Sequence, residues 1–319
     1  MASRGFVRYA WGTLAYTVAV ILWGAFVRAT GSGAGCANHW PLCNGDVIPR
    51  PERVETLIEF AHRATSGIAF LLVVGLVIWT FRRFARGHRV RWTAGLGMVF
   101  MITESLVGAG LVLLELVADN ASIARAYWMA GHLVNTFLLL ATLTLTAWWS
   151  TRDAPLRVRQ AGGWAMGLGV ALFGMILVSI SGAVTALGDT LYRLGGTDPS
   201  ATADLLIGLR SIHPVLSIAA SVIVLLIVLT TAGARPSAPT LRLSRWLAGA
   251  LIGQLGIGAL NVALSAPVWM QLIHLLVADL IWIGLVVFAA SACALAAHAD
   301  VDPRPGPAPH GAEPLRSPD

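Results

Sequence analysis

The sequence predicts an all-α integral membrane protein, with about eight transmembrane helices arranged as two pseudo-symmetric four-helix bundles. Three observations carry that expectation. Of 319 residues, 56% are hydrophobic and only 12% charged, about half the charged share of a soluble domain, roughly 25%. Apolar stretches of about 20 residues recur along the chain, the length at which a helix crosses a hydrocarbon core about 30 Å thick with its backbone fully hydrogen-bonded. The second half of the chain also repeats landmarks of the first in the same order, the mark of an internal repeat.

Helix one spans 10–30 and follows Arg4 and Arg8. Basic residues ahead of an apolar run resemble a signal peptide. This run is too long for a cleavable segment and ends in no small-residue cleavage site, so it reads as a retained helix. Helix two (61–81) opens around His62, helix three covers 93–117, and helix four (128–149) carries His132. Helices five (162–187), six (212–231), seven (246–265) and eight (269–297) repeat the plan, with His213 opening helix six and His274 near the start of helix eight. Pro214 fits the first turn of helix six, where a missing N–H is no loss. Gly249 and Gly253 on helix seven form a small-xxx-small spacing that suits ordinary transmembrane packing. The loop 189–210 is expected to hold a short helix at the membrane surface. The stretch 299–319, rich in Pro, Gly and charge, is expected to be a disordered tail. The chain thus divides into 1–160, 161–298 and that tail.

The net charge of +6 does not indicate a nucleic-acid partner, because the basic residues are placed by topology. All are arginines, clustered at Arg4 and Arg8, at Arg82, Arg83, Arg86, Arg89 and Arg91, at Arg152, Arg157 and Arg159, and at Arg235, Arg242 and Arg245. The alternate loops are mixed or acidic, with Asp46, Glu52, Glu55, Asp119, Asp189, Asp198 and Asp204. The positive-inside rule therefore puts both termini in the cytoplasm of a multi-pass plasma-membrane protein. The arginines face anionic headgroups of the bilayer.

The repeat brings out the chemistry. Val27, Ala29 and Gly31 of helix one fall in step with Val184, Ala186 and Gly188 of helix five, and His62 with Ser66 corresponds to His213 with Ser217. His132-Leu133 follows Trp128 as His274-Leu275 follows Trp269. Histidine is costly in hydrocarbon. Two matched pairs at one depth, near the outer leaflet, point to bound metal, and haem iron suits two inward histidines from facing helices of a bundle. His88, His298 and His310 are expected to be solvated, and His39 stays open.

Glu59 lies one turn before His62 on the same helix face. It either steadies the imidazole or acts on a ligand at the site; the alternative is a solvated acid at a helix N-terminus. Cys36 and Cys43 flank Trp40-Pro41 in the loop after helix one. Outside the cytoplasm such a pair forms either a structural bridge or a redox-active dithiol. Cys293 reads as a small packed residue. Arg28 and Arg63, near the histidine layer, are candidates for the haem propionates or for snorkelling to headgroups. Glu104, Glu115 and Asp279 should face inward or line water. Asp279 is five residues from His274, a spacing that turns it from the ligand face, and it is given no catalytic role.

The run Val27-Arg28-Ala29-Thr30-Gly31-Ser32-Gly33-Ala34-Gly35-Cys36, then Trp40-Pro41-Leu42-Cys43, then Glu59-Phe60-Ala61-His62-Arg63 resembles the haem A synthase family, in its bacterial form with a cysteine pair in the first outer loop. The resemblance covers all but about the last twenty residues. It implies a membrane oxidoreductase that converts the C8 methyl of haem O to a formyl group, giving haem A for terminal oxidase assembly. By that likeness His62 and His132 are iron ligands of the substrate haem in 1–160, and His213 and His274 of a permanent haem b in 161–298. Glu59 matches a carboxylate needed for activity, and Cys36 and Cys43 match a pair that can be disulfide-linked. Partners implied are haem O synthase, an electron acceptor and, in some arrangements, further copies of the chain. Two rival readings need the same histidines: a dihaem b-type cytochrome that only passes electrons, and a haem delivery factor. Glu59 and the cysteine loop favour the enzyme.

Overall fold

The computed structural model describes residues 3–50, 53–152, 156–193, 205–206 and 208–294. Among them, eight helices are long and apolar enough to cross a membrane. They are α1 (Arg4–Ala29), α2 (Val54–Arg83), α3 (Arg89–Leu113), α4 (Ile123–Thr151), α5 (Gly163–Arg193), α6 (Ile212–Ala234), α7 (Ala238–Ala263) and α8 (Val268–Ala294). The expected all-α membrane architecture is present. A single helical turn, Val158–Ala161, lies between α4 and α5. The expected tail, 299–319, lies outside the described residues.

Most of the helices overrun the apolar windows. At about 1.5 Å per residue they exceed a core of roughly 30 Å, so their ends stand among headgroups, where polar caps and charges are tolerated. Ser3 caps α1 by accepting from Phe6 N–H at 3.3 Å, and Ser122 caps α4 by accepting from Arg125 N–H at 3.3 Å. Ser237 and Thr240 form a reciprocal capping box on α7, which satisfies two otherwise unpaired donors. Arg82 and Arg83 close α2, where cations suit the negative end of the helix dipole. The early start of α2 makes Glu59 and His62 interior helix residues. Helix α5 also runs past its expected end, through Asp189 to Arg193. The anticipated loop therefore begins later, and residues 194–204 lie outside the described set.

Within the first half, α1 packs on α2, α2 on α3, α3 on α4 and α4 back on α1; α5 to α8 close in the same order. The halves meet through α1, α4, α5 and α8. Apolar side chains face outward, including Leu71, Phe173 and Ile252, whereas Thr13, Thr17, Thr80, Thr144, Thr146 and Thr231 are buried. Small hydroxyl residues let helices approach and bond across their interfaces. Thr146 donates to Thr93 at 2.9 Å, and Tyr9 donates to the Leu72 carbonyl at 2.9 Å. At the seam between halves, Trp282 stacks on Phe137 at 4.8 Å and donates from Nε1 to the Phe137 carbonyl at 2.8 Å. Gly249 and Gly253 face open space, so that spacing does not mark a close helix crossing.

Candidate functional site

A cavity of about 1760 Å³ runs between the helices and is lined by all four histidines. It exceeds the roughly 300–1,000 Å³ of an ordinary small-molecule site. Each histidine stands on an even-numbered helix, and each ring lies over a glycine of the odd-numbered helix before it. A methyl group added at Gly24 would come within 2.9 Å of Cε1 of His62. At Gly182 it would lie 3.1 Å from Cε1 of His213, at Gly258 3.2 Å from Cε1 of His274, and at Gly108 3.9 Å from Cε1 of His132. Four helix pairs thus make the same cradle. The sequence reading missed these glycines. Gly24 and Gly182 are also one position out of the step that matched Val27 to Val184, so the cradles, not those apolar matches, give the structural register of the repeat.

The histidines differ in what stands behind them. Ser181 donates to the Val178 carbonyl at 2.7 Å, which uses its only proton. Its contact of 2.9 Å with Nδ1 of His213 is then a bond it accepts, and the imidazole carries its proton on Nδ1. In that tautomer Nε2, which lies 3.3 Å from the Ser217 hydroxyl, is the nitrogen that would meet a metal. His274 lies beside Gln254, whose amide nitrogen donates to the His274 carbonyl at 3.0 Å. The His213 and His274 rings are 6.4 Å apart, centroid to centroid, and nearly perpendicular at 88°. Two metal–imidazole bonds of about 2.0 Å each plus two half-rings come to roughly 6 Å.

On the first-half side, Glu104 of α3 accepts from Asn135 at 2.6 Å and from Thr136 at 2.5 Å. One of its oxygens is 3.5 Å from Nδ1 of His132, close enough for ion pairing but without hydrogen-bond alignment, since that nitrogen has no hydrogen-bond partner. Nδ1 of His62 and of His274 are likewise buried and unbonded. Glu104 and Gln254 each stand one turn before a cradle glycine, Gly108 and Gly258. The two halves therefore place a carboxylate and an amide at equivalent positions. Among the described residues no cluster of three or more His, Cys, Asp or Glu side chains forms. Histidines arriving in twos suit a metal that brings its own equatorial ligands, as a porphyrin does.

Glu59 and Arg63 line the same cavity, and their contacts explain the outer loop. Cys36 and Cys43 form a disulfide, which among the alternatives left by the sequence is the bridged state. Glu59 is 3% exposed and accepts from the Cys36 backbone N–H at 2.8 Å. Arg63 pairs with its other oxygen and donates from Nη1 to the carbonyls of His39 and Leu42, both at 2.5 Å. The pair therefore clamps both ends of the disulfide loop to α2. Gly35 is required there, because a methyl group would fall 2.3 Å from the Glu55 carbonyl oxygen. Arg28 also lines the cavity and donates to the Ala186 carbonyl at 2.6 Å, Thr190 at 2.8 Å and Gln271 at 3.0 Å. Asp279 faces inward as expected: it is on the cavity wall, fully buried, with both oxygens unbonded among the described residues.

A family model for a cytochrome oxidase assembly protein matches residues 7–286. The chain is 50% identical over 290 residues to a Protoheme IX farnesyltransferase of Thermus thermophilus, an overlap covering 89% of this chain and 48% of that protein. It is 35% identical over 176 residues to the Heme A synthase of an Exiguobacterium species, covering 55% of this chain and 56% of that one. It is also 37% identical over 126 residues to the Heme A synthase of Halalkalibacterium halodurans, 40% of this chain and 42% of that one. The chain spans about half the length of the curated relatives it matches.

Proposed function

The chain belongs to the cytochrome oxidase assembly protein family, with haem A synthases among its relatives, and from that premise we propose that it oxidises the C8 methyl of haem O to the formyl group of haem A. The carrying observation is the set of four histidines around one cavity, each ring seated over a glycine of the preceding helix. Those residues fit axially ligated porphyrins. The 6.4 Å spacing of His213 and His274, the buried unbonded Nδ1 atoms and the Ser181 contact of His213 support that fit.

In this reading His62 and His132 hold the substrate, haem O, in 1–160, and His213 and His274 ligate in 161–298. A haem b bound between His213 and His274 would supply a one-electron relay. The protein positions and insulates. Glu104 steadies His132 through its carboxylate, and Gln254 fixes the backbone at His274. Glu59 and Arg63 keep the disulfide loop over the first pair, which excludes water from the reacting edge and holds a carboxylate within one turn of His62. Apolar walls suit a farnesylated substrate that arrives from lipid. The arginine distribution supports cytoplasmic termini in the plasma membrane, with the histidines toward the outer leaflet.

The farnesyltransferase name attached to the Thermus relative belongs to a protein about twice as long as the match. We assign the oxidation to the matched half and take the name as support for a working partnership with a haem O synthase, which makes the substrate. An electron acceptor completes the set of partners.

The test is co-expression with a haem O synthase, followed by chromatography and mass analysis of extracted haems, for wild type and Glu59→Ala. Haem A or its hydroxylated precursor in wild type, and its loss in the variant, is the expected result. Haem B and unchanged haem O alone, from folded protein with bound haem, would overturn the proposal in favour of an electron-transfer cytochrome.

A further inference from the structure

Four arginines line the cavity: Arg28, Arg63, Arg125 and Arg210. Three have clear roles within the protein. Arg63 is engaged by Glu59 and two loop carbonyls, Arg28 by α5 and α8, and Arg210 by Asp189 at 2.6 Å. Arg125 differs. It is 3% exposed, yet among the described residues only its Nη1 is bonded, to the carbonyls of Ala118 at 2.7 Å and Asn120 at 2.8 Å. Its Nε is buried with no partner among the described residues. Asp119 lies within range of its field, but no ion pair joins them. A buried guanidinium that meets only two neutral carbonyls is costly, because desolvation goes uncompensated.

Its place on the helix says what would compensate it. Arg125 precedes His132 by seven residues, two turns along the same face of α4, about 10 Å. That span is comparable to the reach from the centre of a porphyrin to the carboxylates of its propionate arms. The unbonded edge of the guanidinium, Nε with Nη2, is the fork that grips a carboxylate in two parallel bonds. We infer that Arg125 binds a propionate carboxylate of the porphyrin seated at His132, and so fixes which edge of that ring faces the loop and which faces the apolar interior. The inference rests on the reading of His62 and His132 as the substrate haem site. A lipid phosphate offers the same oxyanion chemistry, and the test separates the two.

Protohaem IX and its dimethyl ester are titrated by absorbance into wild type, Arg125→Lys and Arg125→Leu, in a neutral detergent. The expected result is that wild type prefers the free acid. Arg125→Leu loses about ten- to a hundred-fold for the acid and nothing further for the ester, with Arg125→Lys between. Any loosening from the freed carbonyls of Ala118 and Asn120 would weaken both porphyrins alike. Equal losses for acid and ester, or none for either, would overturn the inference. So would a wild-type preference that disappears when phosphatidylglycerol is added, which assigns the guanidinium to a headgroup. A wild type that takes up neither porphyrin would instead remove the haem reading itself, and this inference with it.

Discussion

Substituting Gly24 by alanine tests the glycine cradles most directly. The new methyl group would lie 2.9 Å from Cε1 and 3.2 Å from Nε2 of His62, whereas carbon atoms rest at about 3.5–4.0 Å. The ring must give way by roughly 0.6 Å or more, against a tolerance of about 0.2 Å in a metal–ligand bond. Overpacking of this kind costs about 1–3 kcal/mol, which lowers porphyrin affinity at the first site about 5- to 150-fold. Folding itself suffers less, because alanine in place of glycine favours a helix by about 1 kcal/mol. Gly182→Ala and Gly258→Ala, at 3.1 and 3.2 Å, should show a similar but milder loss at the second site, and Gly108→Ala, at 3.9 Å, almost none. Gly12→Ala, with nothing within 4 Å, is the control. The assay is absorbance titration of purified protein with protohaem IX, beside its thermal midpoint. A Gly24→Ala protein that titrates like wild type, or a Gly108→Ala or Gly12→Ala protein that loses as much, would refute the reasoning.

Replacing Glu104 by leucine removes the carboxylate behind His132 and should weaken porphyrin at the first site about 10- to 100-fold, leaving the His213–His274 spectrum unchanged; a change confined to the second site would count against the assignment. Asp279→Leu removes a buried carboxyl with no bonded partner and should raise the thermal midpoint, by an amount equivalent to about 1–3 kcal/mol; a lowered midpoint would show that Asp279 has a partner in the working protein. The double substitution Cys36→Ser with Cys43→Ser releases a loop whose closure is worth about 2.5 kcal/mol in the chain-entropy view. Limited proteolysis should then cut near Val47 and Ile48, which are 77% and 78% exposed, faster than in wild type; equal cutting rates would mean that Glu59 and Arg63 hold the loop unaided.

Hydropathy and length made the eight helices legible, because a helix in lipid must satisfy its backbone internally and advertise apolar residues all round. The four histidines were legible for the complementary reason: a polar ring in that setting stands out. The glycines beneath them were not. With 33 glycines in the chain, and glycine common in membrane helices, Gly24 or Gly258 carries no signal until its neighbour across the interface is known. One clue existed, the matching Glu104–Gly108 and Gln254–Gly258 spacings. Arg63 and Glu59 read as free to meet a ligand because the return of the loop 36–43 over α2 is a tertiary event. Arg125 was assigned no role from the sequence. Its burial depends on the turn at Ala118–Asn120 folding over it, which no local pattern announces.

Arg28 is fastened to α5 through Ala186 and Thr190 and to α8 through Gln271, while its own helix carries Gly24, the floor under His62. One side chain therefore rivets the cradle of the first histidine pair to the two helices that frame the second. A tilt of α1 would therefore strain its bonds to α5 and α8, made about one turn from Gly182 and His274.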